Sequence, residues 1–387
     1  MAAMRTLDEV VERVRDIARE TTAAEADRVD SEFAWPEATM RAMQREGLGG
    51  LVVPVEHGGI GLGLRALTEV CEHLGYHSGS AGLTFGMHAV GSAVIGAKPT
   101  PEQVERYLEP ICAGEHVTTL ALSEPGTGAN FWLPETSMTL DADGYVIDGV
   151  KSFITNGTFA DSYVVSTVSE EEDAPLGHFS CVVVKDGTEG MEWDDGWRGI
   201  GMRGNSSRTA KLRSVRIDTQ DLLGEPGDQI WYVFQVVAPY FLVAMAGTYL
   251  GIARRAVDEA IGSLKGRVFS HLGAGPAAMD VPQHKTGKLW TDVERTRRLA
   301  YWAAEEADRQ GPMALPALCA AKAEVAGSCV SAVHTAITLM GGRAYRDGTV
   351  MDRLMRDALA ADVMSPTTDL LLTWCGRALL EQPLLGE

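Results

Sequence analysis

The hydrophobic period of this chain switches twice, and that order restricts its architecture more than any single motif. Residues 7–30 place Val10, Val11, Val14, Ile17 and Ala18 at helical spacing between Glu, Arg and Asp, the pattern of a helix buried along one face. A second helix is expected from about Pro36 to Gly47, because proline suits a first helical turn. LVVPVEHGGIGLG (51–63) holds too many glycines for regular structure and reads as a tight loop. Helical spacing resumes at 64–75, 84–96 and 101–113. At residue 117 the pattern changes. TTLALSE, YVIDG, DSYVVSTV, HFSCVVV and AKLRSVRI are short, β-branched and bounded by Gly, Asp or Asn, which predicts strands at regular spacing. From Ile230 the helical period returns in runs rich in Ala and Leu at 230–264, 283–309 and 312–340, interrupted at SHLGAGPAAMDVP (270–282). The expected fold is mainly α with a central β-domain. It divides into an N-terminal helical domain (1–116), a central β-domain (117–225) and a C-terminal helical bundle (226–387).

A chain of 387 residues corresponds to about two to three domains. It is long enough to bury a core without metals or disulfides. Acidic residues outnumber basic ones, 53 to 34, for a net charge of −19. Such a field opposes binding to nucleic acid or anionic lipid, so no nucleic-acid partner is expected. The six cysteines form no CxxC pair, which argues against a zinc site or a disulfide framework and for buried thiols in a reducing cytoplasm. The N-terminal segment MAAMRTLDEVVERVRDIARE carries acids and no long apolar run, unlike a signal or transit peptide. No run of about 18 apolar residues is present, and no membrane span is expected.

Six segments, in order along nearly the whole chain, together resemble the acyl-CoA dehydrogenase family. They are FAWPEATMRAMQREGLGGLVVPVEHGGIGLG (33–63), LALSEPGTGANF (120–131), DGVKSFITNGTFADSYVV (148–165), GMRGNSSRTAKLRSVRIDTQDLLGEPGDQ (201–229), and LMGGRAY (339–345) with MDRLMRDA (351–358). The resemblance implies an N-terminal helical domain, a β-barrel-like middle domain and a C-terminal four-helix bundle. It also implies bound FAD, an acyl thioester substrate on CoA or an acyl carrier protein, and assembly as a homotetramer or homodimer. Glycines in SEPGTG let backbone N–H groups approach a ligand closely; by resemblance Leu122, Ser123, Gly128 and Ala129 contact the flavin. An ordinary proline–glycine turn is the plain alternative. Phe153 and Thr155 are expected on one face of a strand, meeting the flavin ring, with Thr155 near its reactive edge. The family more often carries tryptophan at 153. Arg267, Phe269, Gln283, Gly341 and Gly342 fall where the family binds the cofactor of a neighbouring subunit, although KGRVFS departs by one residue from the family's spacing. Thr338 and Ala344 are further departures, replacing a glutamine and a glycine.

The departures concentrate on the chemistry. Arg356, Asp357, Ala358 and Thr367 match the family's carboxy-terminal pattern, with Thr367 in the place of a flavin-contacting threonine. The family's catalytic glutamate falls on Ser365, and the glycine after it on Pro366. A second place where some relatives carry the base falls on Phe241. A thioester-holding serine falls on Ala129, and an arginine of the pantetheine channel on Leu242. Serine without a partner is a poor base. Glu124, His88, Asp362 and Asp369 are the other titratable residues that the sequence brings into consideration. Glu124 is usually structural in the family, and a histidine among apolar residues reads first as a satisfied core residue. Three functions follow: an FAD-dependent acyl-thioester α,β-dehydrogenase, a flavin-dependent monooxygenase or other flavin chemistry on the same scaffold, and a non-catalytic flavin- or acyl-binding subunit. The acyl group and the electron acceptor are left open.

Overall fold

The computed structural model describes residues 5–169 and 179–385. The expected strand HFSCVVV therefore begins on His178, outside the described residues, as do the outermost residues of the two terminal domains.

The N-terminal part is helical: α1 Leu7–Ile17, α2 Ala23–Ser31, α3 Glu37–Arg45, α4 Leu64–His77, α5 Gly79–Ala97, and the short α6 Pro101–Gln103 and α7 Glu109–Ala113. The Thr6 hydroxyl accepts the Glu9 N–H while Glu9 reaches back to the Thr6 N–H, a capping box that starts α1. Pro36 occupies the N-cap of α3 rather than its first turn, and Gly47 (φ 68°) turns the chain out of it. The glycine-rich 51–63 segment holds one 3-10 turn, Val55–His57. Helix α5 is buried nearly all round, so its pattern is continuous rather than one-sided. That explains why periodicity alone starts it late.

The middle part is one eight-stranded sheet: β1 Thr118–Ala121, β2 Ser137–Asp141, β3 Gly144–Ile154, β4 Ser162–Ser169, β5 Phe179–Lys185, β6 Met191–Trp193, β7 Arg208–Ile217 and β8 Leu222–Leu223. The strand order is β6-β7-β3-β2-β4-β5-β8, and β1 pairs in parallel with β4. The sequence reading splits β3 and passes over β2, β6 and β8. Of these, β6 and β8 have only three and two residues, too few to show a period.

The C-terminal part comprises α8 Gln229–Tyr232, α9 Ala238–Lys265, α10 Asp280–Asp308, α11 Ala314–Met340, α12 Val350–Val363 and α13 Thr368–Leu379. Contrary to the sequence expectation, Gln229–Lys265 and Ala314–Arg343 are long and apolar enough to cross a membrane by length and composition. The first spends that apolarity on the core, with 83% of its most apolar window buried. In the second, 33% of the corresponding stretch is buried, and its exposed positions include Gly327, Ser331, His334 and Thr338. Of the six cysteines, four are buried and two half-buried, and all are free thiols. Among the described residues no group of three or more His, Cys, Asp or Glu side chains is placed to hold a metal ion.

Candidate active site

The three parts meet around a cavity of about 690 Å³, within the size range of small-molecule sites. One wall comes from the sheet and α12. It includes Ser123 and Gly128 from the turn after β1, Phe153 and Thr155 at the end of β3, Asn205 and Ser207 before β7, and Leu359 and Val363. The facing wall is helical and apolar: Leu83 and Met87 of α5, then Val237, Ala238 and Phe241 at the start of α9, with Leu120 and Phe131 between. Behind Phe131, Trp132, Phe234 and Trp374 pack at ring separations of 5.4–6.1 Å.

Phe153 does not reach the cavity by simple strand alternation. β3 carries one extra residue against β7 between Lys151 and Ile154, a bulge that gives Phe153 a φ of 55° and leaves it 67% exposed. Thr155 lies just past the strand end, buried, with its hydroxyl 3.5 Å from that of Ser207. Gly128 (φ 56°) has open space where a Cβ would stand. Thr367 is the N-cap of α13 but caps nothing with its side chain, so its hydroxyl remains for a ligand. Ile200 (70% exposed) and Val363 (77% exposed) extend the apolar rim beside Phe153. An apolar platform edged by hydroxyls and an amide suits a flat heteroaromatic ring with a polar edge.

The structure brings Leu122, Ser123, Gly128, Ala129, Phe153, Thr155, Phe241, Ser365, Pro366 and Thr367 to this one cavity. Leu242 is 2% exposed in the core and does not line the cavity, one helical step of about 100° from Phe241, which does. Arg267, Phe269, Gln283, Gly341 and Gly342 also lie outside the lining. Three of them cluster: the Arg267 guanidinium lies 4.7 Å from the Phe269 ring centre, and a Cβ on Gly341 would stand 3.9 Å from Arg267 Nη1.

The charged groups near the cavity are committed. Among the described residues that line it, the ionisable side chains are Glu124 and Arg356. Glu124 accepts the N–H groups of Glu135 and Thr136 at 2.7 and 3.1 Å, and its Oε1 lies 2.5 Å from the ammonium of fully buried Lys151. Burial pulls Lys151 down to about 8 against the pull of Glu124. Arg356 pairs with Asp30 and Asp352 and donates to the Ile200 carbonyl at 3.3 Å; its bonds to Asp30 hold its pKa up. The neighbouring Asp357 is buried, which raises it to about 6, and accepts the Met202 N–H at 2.6 Å.

Ser365 is half-buried and donates to the Ala129 carbonyl at 3.2 Å. Its segment is held from below by buried Lys322 of α11, whose ammonium donates to the carbonyls of Ala361, Met364 and Pro366, each at 3.0 Å. His88 turns away from the cavity. Its Nε2 donates to the Gly49 carbonyl at 3.1 Å and its Nδ1 accepts the Thr118 N–H at 3.2 Å, making it a satisfied core residue. Asp362 and Asp369 are exposed and line nothing here.

Sequence reasoning missed Asn205, Ser207, Trp197 and Lys322, and it matched Arg356 to the family's pattern without assigning it a contact in the site. GMRGNSS held the signal for the first two, since a polar run before a strand is a loop that can face a ligand.

Comparison with known proteins covers the same ground. Residues 5–115, 119–215 and 231–380 match the N-terminal, middle and C-terminal domains described for acyl-CoA dehydrogenase. The cyclohex-1-ene-1-carbonyl-CoA dehydrogenase of Geobacter metallireducens is 29% identical over 96% of this chain and 97% of its own. The solved butyryl-CoA dehydrogenase of Megasphaera elsdenii superposes with a TM-score of 0.90 at 22% identity, over 98% of this chain and all of that one. A prolyl acyl carrier protein oxidase shares the fold with a TM-score of 0.86 at 20% identity, over 96% and 98% of the two chains.

Proposed function

This chain belongs to the acyl-CoA dehydrogenase family, and from that premise we propose that it is an FAD-dependent oxidoreductase that dehydrogenates an acyl thioester between its α and β carbons. One observation carries the reading. Ser123, Phe153, Thr155 and Thr367 converge on a cavity that is also lined by the apolar side chains of Leu83, Met87, Val237 and Phe241. The same set fits FAD, with Phe153 as the apolar surface and the hydroxyls of Thr155, Ser207 and Thr367 at the polar edge. When bound, the flavin supplies the acceptor for the β-hydrogen.

The chain's own residues do the rest. Leu83, Met87 and Phe241 hold the acyl group and keep water out, which protects a reduced cofactor. Ser365 stands in the place of the base, its hydroxyl oriented by the Ala129 carbonyl. A hydroxyl accepts a proton poorly, so proton removal limits this reaction. Ser365→Glu is expected to raise dehydrogenation; an unchanged or lower rate would remove Ser365 from the role. The direct test is anaerobic: an acyl thioester should bleach the flavin and yield an enoyl product. CoA and acyl carrier protein thioesters compared side by side identify the carrier.

The commitment of Glu124, the sole carboxylate lining the cavity among the described residues, favours a second reading. In it the scaffold serves as a flavin-dependent monooxygenase. No bleaching by thioester, with oxygen consumed only when an external reductase is supplied, selects that alternative. We also propose a homotetramer or homodimer in the cytoplasm. The cluster of Arg267, Phe269 and Gly341 outside the cavity supports a neighbouring subunit's cofactor there. The free cysteines support the compartment.

A further inference from the structure

Three residues with side chains adopt left-handed backbone within six positions beside the cavity: Phe153 (φ 55°), Asn156 (63°) and Thr158 (67°). The loop facing them holds two more, Met202 and Ser206, both at 50°. Such conformations persist only where the surroundings over-determine them. The two loops are zipped together: the Asn156 N–H donates to the Asn205 carbonyl at 3.0 Å, Gly157 N–H to Ser206 at 3.1 Å, and the Ser206 hydroxyl to the Gly157 carbonyl at 2.9 Å. The pair is also pressed on the N-terminal helices. A Cβ on Gly204 would stand 2.2 Å from Val29 Cγ1 and 2.7 Å from the Ala34 carbonyl oxygen.

Asn156 is the side chain that spans the gap. It is fully buried. Its Oδ1 accepts the indole N–H of Trp35 at 2.8 Å, and its Nδ2 donates to the Thr84 carbonyl at 2.9 Å. Trp35 stacks on Phe159 with ring centres 4.8 Å apart, so the indole has little freedom to follow a shift. Thr84 lies on α5 one residue after Leu83, which lines the helical wall. The residue before Asn156 is Thr155, on the opposite wall.

We propose that Asn156 is a positioning residue that sets the separation between the wall carrying Thr155 and the wall carrying Leu83 and Met87, and so the reach between the flavin and the acyl chain. The inference rests on the dehydrogenase reading. Reaction between two bound groups is steeply sensitive to their spacing, and a buried amide satisfied at both ends is a rigid spacer.

The test is Asn156→Gly in the full-length holoprotein. Glycine adopts φ 63° without strain, so the backbone is kept and the two side-chain bonds are lost. The expected result is a folded protein whose kcat falls by about tenfold or more with KM nearly unchanged. The bound flavin's visible band should lose resolved structure as the pocket loosens. Trp35→Phe, which keeps the ring stack but deletes the N–H, should give a smaller change of the same kind, and it carries the comparison alone if Asn156→Gly fails to fold. Wild-type kcat and flavin spectrum in Asn156→Gly, whatever its loss of urea stability, would show a purely structural role. A wild-type protein that takes up no FAD would instead overturn the functional reading, and this inference with it.

Discussion

The two walls of the cavity are built by different physics. The sheet-side wall is made of strained backbone held by hydrogen bonds: left-handed residues at 153, 156, 158, 202 and 206, each loop bonded to the other and to a helix. The helical wall has no such residue; Leu83, Met87, Val237, Ala238 and Phe241 all sit on regular or π-helical turns and are placed by packing. Hydrogen-bonded strain fixes atoms in position, whereas a packed apolar surface fixes only a volume. The first suits a cofactor of constant shape. The second suits an acyl chain whose identity can change by exchanging side chains.

The largest expected effect tests the anchor behind the sheet-side wall. Lys151→Met leaves the Glu124 carboxylate buried without its counter-charge. Breaking a buried pair from one side costs about 3–5 kcal/mol, so urea unfolding at pH 7 should show a loss of that order. Adding Glu124→Gln should recover part of it. A loss no larger than that of a surface lysine would mean that this wall is not held by its polar network.

The anchor behind the helical wall is His88, and there the effect depends on pH. Burial lowers His88 to about 4 from its ordinary 6.5. As pH falls from 6.5 the unfolded chain takes up the proton first. Stability is therefore complete above about 6.5 and lost progressively toward pH 4, by about 3 kcal/mol. The geometry explains the cost, because a proton on Nδ1 would face the Thr118 N–H that it now accepts. Asp357, raised to about 6, works in the opposite sense: its folded form takes the proton first, so it regains stability as pH falls through 6. The slope of the wild type alone is thus a difference. His88→Asn, compared with wild type by denaturant titration between pH 7 and 4, should lose less stability on acidification. Parallel curves would place the acid sensitivity elsewhere.

The same contrast decides what was legible in the sequence. The order of helical and strand regions could be read because each long helix or strand repeats its period over many residues. Resemblance placed Ser123, Phe153, Thr155 and Ser365 in one site. It could not show that Phe153 arrives through a bulge, since one inserted residue leaves the alternation on either side intact. The contacts of Arg356 and Lys322 could not be read because their partners are remote: Asp30 lies 326 residues from Arg356, and the Pro366 carbonyl 44 from Lys322. That Leu242 lies in the core, one helical step from Phe241 on the cavity, is decided by packing and not by a motif.

The smallest effect is expected on the packed wall itself. Phe241 is half-buried and sits where α9 begins, on the cavity face. Phe241→Ala removes a ring from a surface that carries no hydrogen bond, so the cofactor wall should be untouched and the flavin spectrum unchanged. What changes is volume. Discrimination between acyl groups in an apolar pocket runs at about 1–3 kcal/mol per methylene, and opened space favours longer or bulkier chains. Measured across a series of acyl thioesters, kcat/KM should shift toward larger substrates by about tenfold relative to the shortest one. If instead the ranking of substrates stays fixed while the flavin spectrum moves, the two walls are not separable, and Phe241 shapes the cofactor pocket as well as the acyl pocket.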